Sequence, residues 1–209
     1  LKKHKIMQQK KYIAKSMEKK ELKFTPKRDK NTKIAIPRNA ASLILLKNSV
    51  NDVKVLLGKR SNKTRFMPGA WVFPGGVLDK ADFTLSINTS LNTKIIQKLA
   101  VSNNARTAKA LAIASIRETV EETGLILGKK SKNFTSTNFK DHNNGITIMS
   151  KLGLEPDLTN LFYLGRAITP TFSPIRFHAR FFMADAKHLT GKIKTTNELV
   201  EIEWVSLKK

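Results

Sequence analysis

From residue 38 onward the chain alternates between short apolar runs and polar, turn-rich stretches. AASLILL (40–46) and VKVLL (53–57) read as strands of the β type. They are separated only by KNSVND, which predicts a hairpin. Next comes FMPGAWVFPGGVLDKAD (66–82), in which Ala70 to Phe73 is expected to form a strand entering a Gly75-Gly76 turn. Residues 79–107 are polar, with one weak apolar period around Ile95, Ile96 and Leu99, and read as an insertion with a small helix. KALAIASIRETVEETG (109–124) is the clearest helix. Ile113, Ile116 and Val120 fall on one stripe, and Gly124 stands where a left-handed residue would end it. Residues 128–160 are rich in Lys, Asn and Gly, with a short helix expected at ITIMSKLGL. LFYLGRAITP (161–170) and IRFHARFFMA (175–184) read as strands, and LVEIEWVSL (199–207) as a last strand or a strand after a helix start at Asn197. The chain has no internal repeat. A β-rich pattern with one strong helix predicts an α+β fold.

Composition narrows the picture. The 209 residues suffice for one domain with a proper core, and 40% of them are hydrophobic. Residues 1–35 form a basic extension, with a short basic helix and then a polar linker after Thr25-Pro26, which leaves 36–209 as the folded domain. There is no cysteine, which excludes disulfides and thiolate metal sites. No apolar run reaches the roughly 18 residues of a membrane span. The N-terminus has no apolar segment of the secretory kind, so the expected location is cytoplasmic, without membrane contact. The formal net charge is +23, from 39 Lys+Arg against 16 Asp+Glu. Such a field attracts anionic small molecules and polyanions. Nucleic-acid contact through the basic tail is the lesser reading. No aromatic-basic sheet motif, zinc-finger spacing or recognition helix supports it elsewhere.

Against this basic background the acids of the helix stand out. With Arg117 at zero on a helical wheel, Glu121 lies near 40°, Glu118 near 100° and Glu122 near 140°, all about. Three carboxylates on one side repel, and Glu121 and Glu122 also sit in the last turn, where the helix dipole opposes acids by about 0.3–1 kcal/mol each. The plainer reading is a solvated acidic face with an i,i+4 pair between Arg117 and Glu121. The sharper one is a bound cation. Oxygen ligands alone suit Mg²⁺ or Mn²⁺, with Arg117 bracing one carboxylate.

Gly75-Gly76 at the end of a strand, followed by R-E-x-x-E-E-x-G-apolar on a helix, resembles the Nudix hydrolase family. Its box runs G-x5-E-x7-R-E-U-x-E-E-x-G-U, with U a bulky apolar residue. Arg117, Glu118, Glu121, Glu122, Gly124 and Leu125 match it, while Thr119 replaces the first U. Gly76 and Arg117 lie 41 positions apart, about 27 more than the usual box, and Asp82 stands where the box glutamate is expected. The order LLGKRS (56–61), FMPG-x-x-VFPGG, displaced helix, ITPTFSPIRFHARFF (168–182) is similar to the peroxisomal-type acyl-CoA/CoA diphosphatase branch and its bacterial relatives. His178 departs from that branch, where Asp is expected. Members usually continue beyond the tryptophan segment, which leaves open a C-terminus cut short.

The resemblance implies a mixed β-sheet sandwiched between helices (α/β/α) and a metal-dependent hydrolase of diphosphate linkages. Glu118, Glu121, Glu122 and the carbonyl of Gly76 would hold Mg²⁺ or Mn²⁺, with Gly75 forming backbone wall beside the substrate. The general base is left open among Glu118, Glu198 and Glu201. Arg176, His178 and Arg180 share one strand face, which suits phosphate recognition or a solvent-facing edge. Lys59 and Arg60 follow a strand and could reach a substrate. Trp71 and Phe73 are expected in the core. The substrate expected is coenzyme A or acyl-CoA. The alternatives are another nucleoside diphosphate derivative, or a non-catalytic Nudix-fold RNA-binding or regulatory protein. Metal count and oligomeric state are left open.

Overall fold

The computed structural model describes residues 33–50, 52–99, 104–134 and 144–208. The expected N-terminal basic helix therefore lies outside the described residues. The chain divides into two compact units, one formed by 36–169 with 175–209 and a small one that takes 170–174 with the described residues before 36. All elements below belong to the larger unit.

Strands β1 (Arg38–Ser49) and β2 (Asp52–Arg60) form the expected hairpin, with Ser49 opposite Asp52 and Leu46 opposite Val55. Alternation puts Ala41, Leu43 and Leu45 on the buried face of β1. The sheet continues through β7 (Phe162–Ile168), β8 (Phe177–Asp185) and β10 (Leu199–Ser206), in the order β10-β2-β1-β8-β7. The β1–β8 pair is parallel and the other pairs are antiparallel, so the sheet is mixed. No helix starts at Asn197. That residue lies in an irregular lead-in to β10.

Beyond their paired halves β1 and β2 take different neighbours. β3 (Trp71–Val72) pairs with β2, and β4 (Gly75–Val77) pairs with β1. Gly75 and Gly76 are thus strand residues, not the turn the sequence suggested. A Cβ on Gly75 would overlap the Ala41 carbonyl and Ser42, so the missing side chain serves close approach within the sheet.

Helix α1 (Thr93–Lys98) lies in the insertion, α2 is Ala105–Thr123, and α3 is Gly145–Lys151. The Asn104 side chain accepts from Thr107 N and caps α2. Gly124 ends it at φ 73°, with its N–H donating to Val120 O. The single apolar stripe expected of α2 is an underestimate. Ala110, Leu111, Ala112, Ile113 and Ala114 are all fully buried, so the middle of the helix is enclosed on every side. It packs on β1 and β4, and both α1 and α3 pack on it. Gly145 allows this, because a Cβ there would overlap the Arg117 carbonyl.

Three short strands went unforeseen: β5 (Leu125–Lys130), β6 (Leu154–Pro156) and β9 (Leu189–Gly191), which form a small second sheet. Two of them are only three residues long, too short to show a period.

Because α2 is central, cutting it back should be costly. Ile113→Ala is expected to lower the unfolding free energy by about 3 kcal/mol in urea titration. A loss below about 1 kcal/mol would show that α2 is peripheral.

Candidate functional site

The site is organised by one buried guanidinium. Arg117 is 4% exposed, near the C-terminal end of α2. Its Nε donates to Asp82 Oδ1 (2.9 Å) and its Nη2 to Asp82 Oδ2 (3.0 Å) and to the Val77 carbonyl (3.0 Å). Its Nη1 donates to Glu118 Oε1 (2.9 Å) and Glu121 Oε2 (3.3 Å). Every N–H of the fork has a partner. Burial alone would lower the Arg117 pKa, but the bonds to Asp82 and the charges of Glu118, Asp82 and Glu121 outweigh it and raise it. Burial pushes Asp82 up and the guanidinium opposes that. Asp82 also accepts from Asp79 N at 2.8 Å.

Arg117 therefore braces three carboxylates, not the single one the sequence suggested. Its two-bond partner is Asp82, which had marked only a departure from the motif. Its position six residues after Gly76 was the available signal.

The three glutamates are held by different partners. Glu118 lies against Gly76, where any Cβ would overlap its carboxylate. Glu121 Oε1 accepts from Gly145 N at 2.8 Å. Glu122 is 4% exposed, and its Oε2 accepts from Gly75 N at 2.9 Å. A solvated acidic face is thereby ruled out. Burial pushes Glu118 up to about 7, against the pull of Arg117. Burial pushes Glu122 up to about 8, against its bond to Gly75 N, with the charges of Glu118 and Glu198 adding and Arg60 opposing. Burial also raises Glu121, against its bond to Gly145 N.

These carboxylates fit a hard divalent cation in chemistry. They offer oxygen donors, buried at Glu122 and half-buried at Glu118 and Glu121, on one side of one helix, and with Asp82 they outnumber the nearby guanidinium groups of Arg117 and Arg60. Among the described residues, no group of three or more His, Asp or Glu is close enough to hold an ion as the side chains stand. Glu118 and Glu121 share Arg117 Nη1, whereas Glu122 is turned to Gly75.

The other expected site residues divide into two groups. Arg60 and Glu198 come near the carboxylates, since both charges act on Glu122. Arg60 Nε is buried with no hydrogen-bond partner among the described residues. Glu198 is exposed, and its carbonyl accepts from Ser61 N. Glu201 instead pairs with Lys59 Nζ at 2.7 Å on the surface. Arg176 Nε donates to the Thr169 carbonyl. Arg180 is 2% exposed, and its Nη1 donates to Asn39 Oδ1 (2.6 Å) and the His178 carbonyl (2.7 Å), so this guanidinium ties strands together. His178 Nε2 lies 3.1 Å from Arg166 Nη1. Phe73 is half-buried, but Trp71 is 40% exposed and not in the core, because its two-residue strand leans on β2 alone.

The raised carboxylates set the sign of the pH dependence. In the folded protein Glu118 and Glu122 titrate near 7 and 8, above the ordinary 4.5, so their contribution to stability is present below pH 4.5 and is lost as pH rises to 8. A cation must displace their protons. Mn²⁺ affinity should therefore increase from about pH 6 to about pH 8.5, with proton release on binding. Calorimetry in buffers of differing ionisation enthalpy measures both. A flat affinity without proton release would contradict the assignment.

No protein-family model matches the chain. It is 29% identical over 178 residues to a Caenorhabditis elegans protein named "Putative nudix hydrolase 7", covering 82% of this chain and 52% of that one. It is 34% identical over 101 residues to the Xenopus laevis acyl-coenzyme A diphosphatase NUDT19, covering 38% of this chain and 27% of that one. The matched part spans about half the length of the first relative and about a quarter of the second. Among solved structures, a NUDIX hydrolase from Alicyclobacillus acidocaldarius superposes with a TM-score of 0.61 at 26% identity, over 83% of this chain and 80% of that one. In sequence and in fold, this chain is similar to Nudix hydrolases.

Proposed function

We propose that this protein is a divalent-cation-dependent diphosphatase that hydrolyses coenzyme A or acyl-CoA to 3′,5′-ADP and (acyl-)4′-phosphopantetheine. The observation that carries this reading is the convergence of Glu118 and Glu121 on Arg117, with Glu118 lying against Gly76. A helix built for stability would not set three buried or half-buried acids on one side with one arginine among them.

Glu118, Glu121 and Glu122 would hold the Mg²⁺ or Mn²⁺, with the Gly76 carbonyl as a further donor. The cation supplies charge neutralisation of the diphosphate and a lowered pKa for the attacking water. Arg117 keeps Glu118 and Glu121 oriented through the reaction. Arg60, whose buried Nε has no hydrogen-bond partner among the described residues, binds a substrate phosphate. Glu198 takes the proton of the attacking water. Its charge already acts on Glu122, which favours it over Glu201, tied to Lys59. One water adds across the P–O–P bridge, giving two phosphate monoesters.

Three further features support CoA as substrate. LLGKRS precedes FMPGAWVFPGG, the insertion falls between Gly76 and Arg117, and one relative bears the name acyl-coenzyme A diphosphatase. The +23 charge suits a substrate with three phosphates.

With Mg²⁺ or Mn²⁺ the protein should cleave CoA or acyl-CoA in preference to dinucleotides and nucleotide sugars, and EDTA should stop it. No cleavage across that panel would refute the reading, and preference for a dinucleotide would refute its CoA part. Glu121→Gln should abolish turnover with the fold intact by circular dichroism. Gly76→Ala should lower kcat about a hundredfold by displacing Glu118. Full activity in either variant would remove that residue from the site.

A further inference from the structure

Trp71 has no part in the hydrolysis described above, and yet it is built with care. The residue is 40% exposed, and Lys59 Nζ lies 6.0 Å from the ring centroid. Lys59 is itself held by Glu201 at 2.7 Å. The Trp71 backbone is fixed against β2, where Trp71 pairs with Lys59 and the Arg60 N–H donates to the Ala70 carbonyl at 2.9 Å. The result is a partly exposed indole on an anchored backbone, with an ammonium over one face of the ring. Before it, Met67 is also exposed, in a left-handed conformation (φ 49°).

The next residue along β2 is Arg60, whose side chain takes the opposite face by strand alternation. There its charge acts on Glu122, and its Nε is buried without a hydrogen-bond partner among the described residues. β2 ends at Arg60. Arg60 and Trp71 are thus neighbours at the end of β2, with the guanidinium on the carboxylate side and the indole on the other. Such an order matches a phosphate followed by a flat heteroaromatic ring. It does not match the unringed pantetheine arm.

We propose that Trp71, with Lys59, is the stacking platform for the nucleobase of the substrate, and that Arg60 takes the adjoining phosphate. This rests on the diphosphatase reading and assigns the ADP half of the substrate to the end of β2. Stacking on an aromatic face tolerates any base, and the neighbouring ammonium adds attraction for a phosphorylated ligand.

The chain has two tryptophans, so Trp204→Phe leaves Trp71 as the sole indole emitter. In that variant 3′,5′-ADP should quench the emission saturably, and 4′-phosphopantetheine should not. Trp71→Ala should raise the KM for CoA about tenfold with kcat unchanged. Trp71→Phe should restore most of the loss. Absence of quenching by 3′,5′-ADP, quenching by 4′-phosphopantetheine alone, or an unchanged KM in Trp71→Ala would overturn the platform. If 3′,5′-ADP quenches but CoA is not cleaved, the platform stands and the substrate assignment falls. If CoA is cleaved without quenching, only the platform falls.

Discussion

The buried guanidinium of Arg117 is the constraint on which the rest of the site depends. A lone charge at that depth would cost several kcal/mol, about what is lost when one partner of a buried pair is removed. The fold meets that cost by bringing Asp82, Glu118, Glu121 and the Val77 carbonyl to one side chain. These partners come from α2, from the strand that holds Gly76, and from the short turn at Ala81–Phe83. Arg117 thereby locks the helix to the glycine strand, through the Val77 carbonyl, across 40 positions of chain.

That lock explains how so long an interruption is tolerated. Asp82 docks before most of the inserted chain begins, so the geometry at Arg117 is set on both sides of it. The inserted chain is itself packed. Leu85, Leu91, Ile95 and Leu99 join the main core, and the Thr89 hydroxyl donates to the Pro156 carbonyl at 2.6 Å. Loop closure grows only slowly with length, and here buried apolar surface offsets it. Glycines complete the arrangement by closeness: Gly76 admits Glu118, and Gly145 admits the Arg117 carbonyl.

Much of this was legible in the sequence because it depends on local pattern. The β1–β2 hairpin, the helix ending at Gly124, and Arg117 with its three glutamates each announce themselves within a dozen residues. What stayed hidden depends on distant partners. Gly75-Gly76 has the composition of a turn, and only β1 makes it a strand. Arg180 alternates with Phe181 like a surface residue, yet Asn39 and Leu99, far away in sequence, bury it. Trp71 is apolar enough for any core, but a two-residue strand at the sheet's end leaves it in water. Asp82 stood out only as a departure from the box until the Arg117 fork gave it two bonds.

The most direct test of the Arg117 lock is a double-mutant cycle on urea stability, with Asp82→Asn, Arg117→Met and the pair. A shared buried bond network predicts a coupling energy of about 2 kcal/mol or more between the two sites. Additive losses, with coupling below about 0.5 kcal/mol, would contradict the claim that this one guanidinium holds the site together.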